Sequence, residues 1–321
     1  MANSEIEQLS IDTIRTLSMD AVQKANAGHP GTAMALAPLA YLLYTEVMHH
    51  NPASPLWPNR DRFILSAGHA CVLQYSTLHL AGYNLSLEEL KRFRQWQSAT
   101  PGHPEFRHTE GVEVTTGPLG QGFANGVGMG FAERFLAQTF NRPHNEVVDH
   151  RIYVICSDGD LMEGVSYEAA SLAGTNGLGK LVYFYDDNHI SIDGTTSISF
   201  TEDRGKRFEA AGWHVQHVDD VNDLEALREA IANAQDELDR PSIVVMRSHI
   251  AYGAPKAIDT AKSHGSPLGE DEVRATKEAL GWDPDQHFHV PDEVYAHMNG
   301  VDRGNELEAA WEQAFSRWAE A

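Results

Sequence analysis

Cysteine is scarce. The 321-residue chain has only Cys71 and Cys156, too few for a disulfide framework or a cysteine metal cluster, and two reduced thiols fit a reducing compartment. Positive charge is short as well: 24 Lys and Arg stand against 46 Asp and Glu, a net charge of −22. That balance excludes a nucleic-acid backbone or an anionic membrane surface as the main partner. Long hydrophobic runs are missing. The most apolar run, Met34 to Tyr44, contains Pro38 and is too short to span a bilayer. The first residues are polar and acidic, with no signal pattern. The expectation is a soluble cytoplasmic protein. Apolar residues at 42% and charged residues at 22% exclude wholesale disorder. An acidic chain that binds phosphates must supply positive charge locally.

What is present alternates between strand and helix patterns. Leu9 to Lys24 has helical spacing and stops at Gly28-His29-Pro30-Gly31. A second apolar helix is predicted over 32–48, and a third near 86–94 with Ser86 as N-cap. Arg62–Ser66, Arg151–Cys156, Leu181–Tyr185, Trp213–Val218 and Ser242–Met246 read as strands, and the runs at 151 and 181 are apolar enough to be covered on both faces. Helical segments at 163–176, 203–211 and 223–236 separate them. This order implies an α/β fold, doubly wound, with a mainly parallel sheet and helices on both faces. Beyond residue 270 only helices are predicted, at 270–281 and 303–320. The expected organisation is a main domain, 1–270, and a helical C-terminal extension, 271–321.

The strongest local feature is an apolar strand ending in Ser157-Asp158-Gly159, followed by a helix start. In doubly wound sheets ligands bind outside the carboxyl ends of strands. The next strand ends at Asp186-Asp187-Asn188. One strand–helix–strand crossover separates Asp158 from Asn188, so both oxygen-bearing side chains fall on one edge of the sheet. A carboxylate, an amide oxygen and a backbone carbonyl suit Mg²⁺, which completes its octahedron with phosphate oxygens and water. A divalent cation lets an acidic protein hold a diphosphate, and the Gly159 N–H at a helix start adds a donor. Gly122, Gly126, Gly128 and Gly130 do not have dinucleotide-loop spacing and read as close helix packing.

Ser157-Asp158-Gly159 with Asn188 downstream is similar to the thiamine-diphosphate fingerprint, with serine at the first glycine. More specific strings widen the match: Gly28-His-Pro-Gly31, Ser66-Ala-Gly-His69, Thr100-Pro-Gly-His103-Pro-Glu105, Thr115-Thr-Gly117-Pro-Leu119-Gly-Gln-Gly122, Asp158-Gly-Asp-Leu-Met-Glu163-Gly164, Tyr185-Asp-Asp-Asn188-His-Ile190 and Lys262-Ser-His264-Gly265. In this order they resemble transketolase over essentially the whole chain.

The resemblance implies a role for each matching residue. Asp158 and Asn188 match side-chain metal ligands, and Ile190 matches a backbone-carbonyl ligand. Gly159 and His69 match diphosphate contacts, with His264 also among the cofactor contacts. Gly117 and Leu119 match the loop that touches the cofactor rings. His29, His103 and His264 match histidines around the reacting sugar carbons. Glu163 matches a buried acid at a subunit interface. The implied cofactors are thiamine diphosphate and Mg²⁺, with Ca²⁺ or Mn²⁺ as substitutes. The implied activity is ketol transfer between sugar phosphates, in the pentose phosphate pathway. Hydrogen-bond donors placed where charge develops on the sugar lower the barrier by about 2.7–4 kcal/mol each.

In transketolases a middle domain supplies the glutamate that protonates the aminopyrimidine, and no segment here matches it. The expectation is the diphosphate and metal half, inactive as a single chain. Its partner would be a C-terminal subunit or domains carrying that glutamate, in a homodimer or heterotetramer. The alternatives are an isolated cofactor-binding domain without turnover, or a related thiamine enzyme such as dihydroxyacetone synthase or 1-deoxyxylulose-5-phosphate synthase. The remaining histidines are read as structural or solvated.

Overall fold

A computed structural model describes residues 3–320. Five parallel strands form its sheet: β1 (Arg62–Leu65), β2 (Ile152–Ser157), β3 (Leu181–Asp187), and, after a small antiparallel hairpin of β4 (Ile190–Ser191) and β5 (Gly194–Thr195), β6 (His214–Val218) and β7 (Ser242–Arg247). The order across the sheet is β1-β2-β3-β7-β6. The doubly wound α/β reading therefore holds, helices on both faces included.

The apolar strands explain both faces. Side chains alternate along a strand. Tyr153, Ile155, Val182, Phe184, Val244 and Met246 enter one core cluster, against the helices Asn3–Ala25, Cys71–Leu80 and Leu224–Asp236. Val154, Cys156, Tyr183, Tyr185 and Val245 enter the other, with Phe123, Phe208 and Trp213. The helix Gln121–Phe140 lies on this second face. Its glycines allow that approach: a Cβ on Gly126 would stand 2.3 Å from Tyr183 Oη, and one on Gly130 2.6 Å from Leu181 Cδ2.

Three local readings change, the helix near 86–94 among them: it is regular only over Leu87–Leu90 and continues as turns. The helix predicted over 32–48 is broken into Pro30–Ala35, Ala37–Leu42 and a π-helical turn, Leu43–Val47. Pro38 has no N–H and its ring crowds the preceding turn, so one continuous ladder cannot form. A short helix, Asp292–Met298, lies outside the predicted helices; its buried Val294 and Met298 stand one turn apart.

Residues past 270 continue the fold. Val273, Thr276 and Lys277 are buried, and Lys277 Nζ meets Asp20 Oδ1 at 2.7 Å on the first helix. The last helix, Val301–Glu320, docks through indoles, with Trp311 Nε1 donating to Val147 O at 2.8 Å. Among the described residues no strand lies beyond 270, and no helix is long and apolar enough to cross a membrane.

Candidate functional site

The site forms where the parallel strands end. Ser157 pairs with Asp186 in the β2–β3 register. Asp158, one residue past β2, and Asn188, one past β3, therefore leave the same edge of the sheet. Both are buried. Tyr185 Oη donates to Asp158 Oδ1, while Asp158 Oδ2 is buried without a partner. Asn188 Nδ2 donates to Asp186 Oδ2 at 2.8 Å, and its Oδ1 accepts the Ile190 N–H at 2.8 Å. The two groups are thus oriented from behind. Burial pushes the Asp158 carboxyl up to about 7, against the Tyr185 hydrogen bond that lowers it. A nearby cation would reverse that shift.

Four histidines close in from other elements. His29 is the N-cap residue before Pro30, His69 sits in the turn Gly68–Ala70 after β1, His103 lies in a loop, and His264 is in the short helix Lys262–Gly265. The rings of His29, His69 and His264 pack mutually, with centroids 5.0, 5.0 and 5.7 Å apart. His29 Nδ1, His69 Nε2 and His264 Nδ1 are all buried and unpartnered. Burial pushes His29 down to about 4, aided by the charges of His264, Arg94 and His103. Burial also leads the lowering of His69, His103 and His264. At neutral pH these rings are neutral, each with one N–H donor and one acceptor nitrogen.

One cavity of about 310 Å³ collects these groups: His29, His69, His103, Gly117, Leu119, Asp158, Gly159, Asn188, Ile190 and His264 all line it. Every predicted site residue is there except Glu163. That glutamate is exposed, at the head of the helix Gly164–Thr175, and does not line the cavity. Gly117 has φ +145, a conformation closed to most side chains, and a Cβ there would sit 3.3 Å from the His103 ring.

Sequence reasoning missed several residues. Thr32, Met162, Ser191 and Ile192 also line the cavity. Behind it, Asp160 is fully buried and accepts from Ser66 Oγ at 2.7 Å, Gly120 N at 2.8 Å and Ser157 N at 2.9 Å. Ser157 Oγ donates to the same carboxylate at 3.2 Å, which gives the serine at the fingerprint's first position a use. The available signal was a second acid two residues after Asp158. Ser157, three residues earlier, has the spacing of a capping box, whereas Ser66 and Gly120 lie in separate strings that spacing alone could not join.

Among the described residues no group of three His, Cys, Asp or Glu stands ready to hold a metal. The donors at the strand ends are instead one free carboxylate oxygen of Asp158 and the amide oxygen of Asn188. That set is incomplete by itself and fits a hard cation that brings phosphate oxygens and water.

A doubly wound parallel domain with a cavity at the carboxyl ends of its strands is an α/β domain of the ligand-binding kind. Comparison with known proteins identifies it further. A family model, "Transketolase, thiamine diphosphate binding domain", matches residues 6–321. The chain is 54% identical to a transketolase of Halalkalibacterium halodurans over 320 residues, covering 99% of this chain and 48% of that one. It is 53% identical to Transketolase 2 of Escherichia coli, covering 97% and 46%. The solved transketolase from Leishmania mexicana superposes with a TM-score of 0.96 at 48% identity, over 98% of this chain and 47% of that one. The chain belongs to the transketolase family, as its thiamine-diphosphate-binding part. It spans about half the length of the curated relatives it matches.

Proposed function

We propose that this chain is the diphosphate- and cation-holding half of a thiamine-diphosphate-dependent transketolase. The proposed reaction moves a two-carbon ketol unit from a ketose phosphate to an aldose phosphate. The observation that carries the reading is the single cavity shared by His29, His69, His103, His264, Asp158 and Asn188.

Asp158 and Asn188 would hold Mg²⁺ with the Ile190 carbonyl, and Ca²⁺ or Mn²⁺ would serve in its place. The Gly159 N–H and His69 would take the diphosphate, with Gly117 and Leu119 against the rings of the cofactor. Thiamine diphosphate, when bound, supplies an electron sink for carbon–carbon cleavage. The chain's own part is positioning and proton handling. Neutral His29, His103 and His264 present donors toward a sugar oxygen on which charge develops, and accept or return its proton. Their desolvation holds each ring neutral at neutral pH, with one N–H donor and one acceptor nitrogen.

The aminopyrimidine-activating glutamate would come from a pyrimidine-binding region, on further polypeptide or on a partner chain. Glu163, exposed here, would become buried only when that assembly forms. The test is a ketol-transfer assay with a ketose phosphate and an aldose phosphate. The 321-residue chain alone is expected to give no turnover, and adding the pyrimidine-binding half restores it. Turnover by the purified single chain would contradict the proposal.

A further inference from the structure

Asp158 has two carboxylate oxygens in different situations, and one side chain makes the difference. Oδ1 receives the Tyr185 hydroxyl, while Oδ2 is buried with no partner. Tyr185 is fully buried near the end of β3, packed in the core cluster on one sheet face. Its hydroxyl carries one proton and has a second acceptor within reach, Asp187 Oδ1 at 3.1 Å. Arg204 already pairs with that oxygen at 2.7 Å. The tyrosine proton is therefore free for Asp158. On the opposite pleat, Asp186 fixes Asn188 in the same manner: Asn188 Nδ2 donates to Asp186 Oδ2 at 2.8 Å, and Ser248 Oγ donates to Asp186 Oδ1. Two consecutive residues of β3 thus orient both strand-end oxygen donors.

We infer that Tyr185 is a positioning residue that sets cation selectivity, by occupying one oxygen of Asp158 so that the carboxylate can offer only Oδ2 to a metal. The inference rests on Asp158 being a cation ligand. A carboxylate restricted to one oxygen suits the small octahedral Mg²⁺ ion. A carboxylate free to use both oxygens suits the larger, more flexible coordination of Ca²⁺. Partners behind a ligand commonly change metal affinity by about 10–100-fold when removed. Tyr185→Phe removes only the hydroxyl and keeps the ring that fills the core.

The experiment measures thiamine diphosphate binding by titration calorimetry at stepped Mg²⁺ and at stepped Ca²⁺, in the wild-type chain and in Tyr185→Phe. The readout is the ratio of half-saturating Mg²⁺ to half-saturating Ca²⁺ within each protein. That ratio is insensitive to a general loss of stability, which weakens both ions alike. In Tyr185→Phe it is expected to move toward Ca²⁺ by about tenfold. An unchanged ratio overturns the inference, whether or not overall affinity falls. Asp158→Ala is run beside it. Cation-dependent binding that persists in Asp158→Ala defeats the ligand reading itself. Loss of that binding, together with an unmoved ratio in Tyr185→Phe, removes only the role of Tyr185.

Discussion

The backbone N–H of Gly120 donates to the carboxylate of Asp160 at 2.8 Å, tying the start of the helix Gln121–Phe140 to the end of β2. The same carboxylate holds Ser66 at the end of β1. Three loops that reach the cavity are therefore fixed by one buried acid. Two residues earlier, Asp158 is equally buried yet leaves one oxygen unpaired. One acid serves the fold and the other strains it.

Opposite signs of stability follow. Asp160→Ala orphans the Gly120 and Ser157 N–H groups and the Ser66 hydroxyl, and is expected to cost about 3 kcal/mol or more. Asp158→Asn keeps an acceptor for Tyr185 and removes a buried carboxyl that burial pushes up to about 7 and that makes no direct ion pair among the described residues. It is expected to raise the unfolding midpoint of the cofactor-free chain while abolishing cation-dependent cofactor binding. Denaturant unfolding of the two variants checks both signs, and a destabilised Asp158→Asn would refute the second.

Stability should also fall with acid in a way that His50 reports. Its ring is buried between Tyr83 Oη at 3.0 Å and Tyr44 O at 2.8 Å. Burial pushes it down to about 4 from an ordinary 6.5. Between those values the unfolded chain binds a proton that the folded chain does not. The contribution is complete above pH 6.5 and is lost as pH drops toward 4, about 3 kcal/mol in all. Unfolding free energies measured from pH 7 to 4 should fall less steeply in His50→Gln than in wild type. Equal slopes would contradict this.

Neighbouring glycines of one helix should respond differently to alanine. At Gly126 a Cβ would meet Tyr183 Oη at 2.3 Å and Val154 Cγ2 at 2.7 Å, so Gly126→Ala is expected to cost about 1–3 kcal/mol. At Gly128 nothing lies within 4 Å. Gly128→Ala is expected to add about 0.5–1 kcal/mol to this chain through helix propensity. Melting curves of both variants decide the matter, and a loss at Gly128 would show that its outer face is already packed.

The centre of the sheet was legible because β2, β3 and β7 are buried on both faces and read as apolar runs, and because Asp158 and Asn188 each follow such a strand directly, whereas the edge strand β6 is half exposed. The four site histidines were legible only through the strings that carry them, since a loop histidine has no period of its own. Asp160, Tyr185 and Asp186 were not legible as supports. Their partners Ser66, Asp158 and Ser248 are distant in sequence and meet only across the folded strand ends. The break in the helix after Pro30 was within reach, because Pro38 was visible and its effect on the preceding turn is general. Glu163 shows a different limit. It is exposed in this chain, and the interface role that the resemblance implies belongs to the proposed assembly.

Titration calorimetry of thiamine diphosphate into the chain, with Mg²⁺ and then with excess chelator, tests most directly whether the cavity takes the cofactor through a cation. Saturable binding with Mg²⁺ that vanishes with chelator, and is lost in Asp158→Ala, is the predicted result. Binding of equal strength with chelator present, or unaffected by Asp158→Ala, would contradict it.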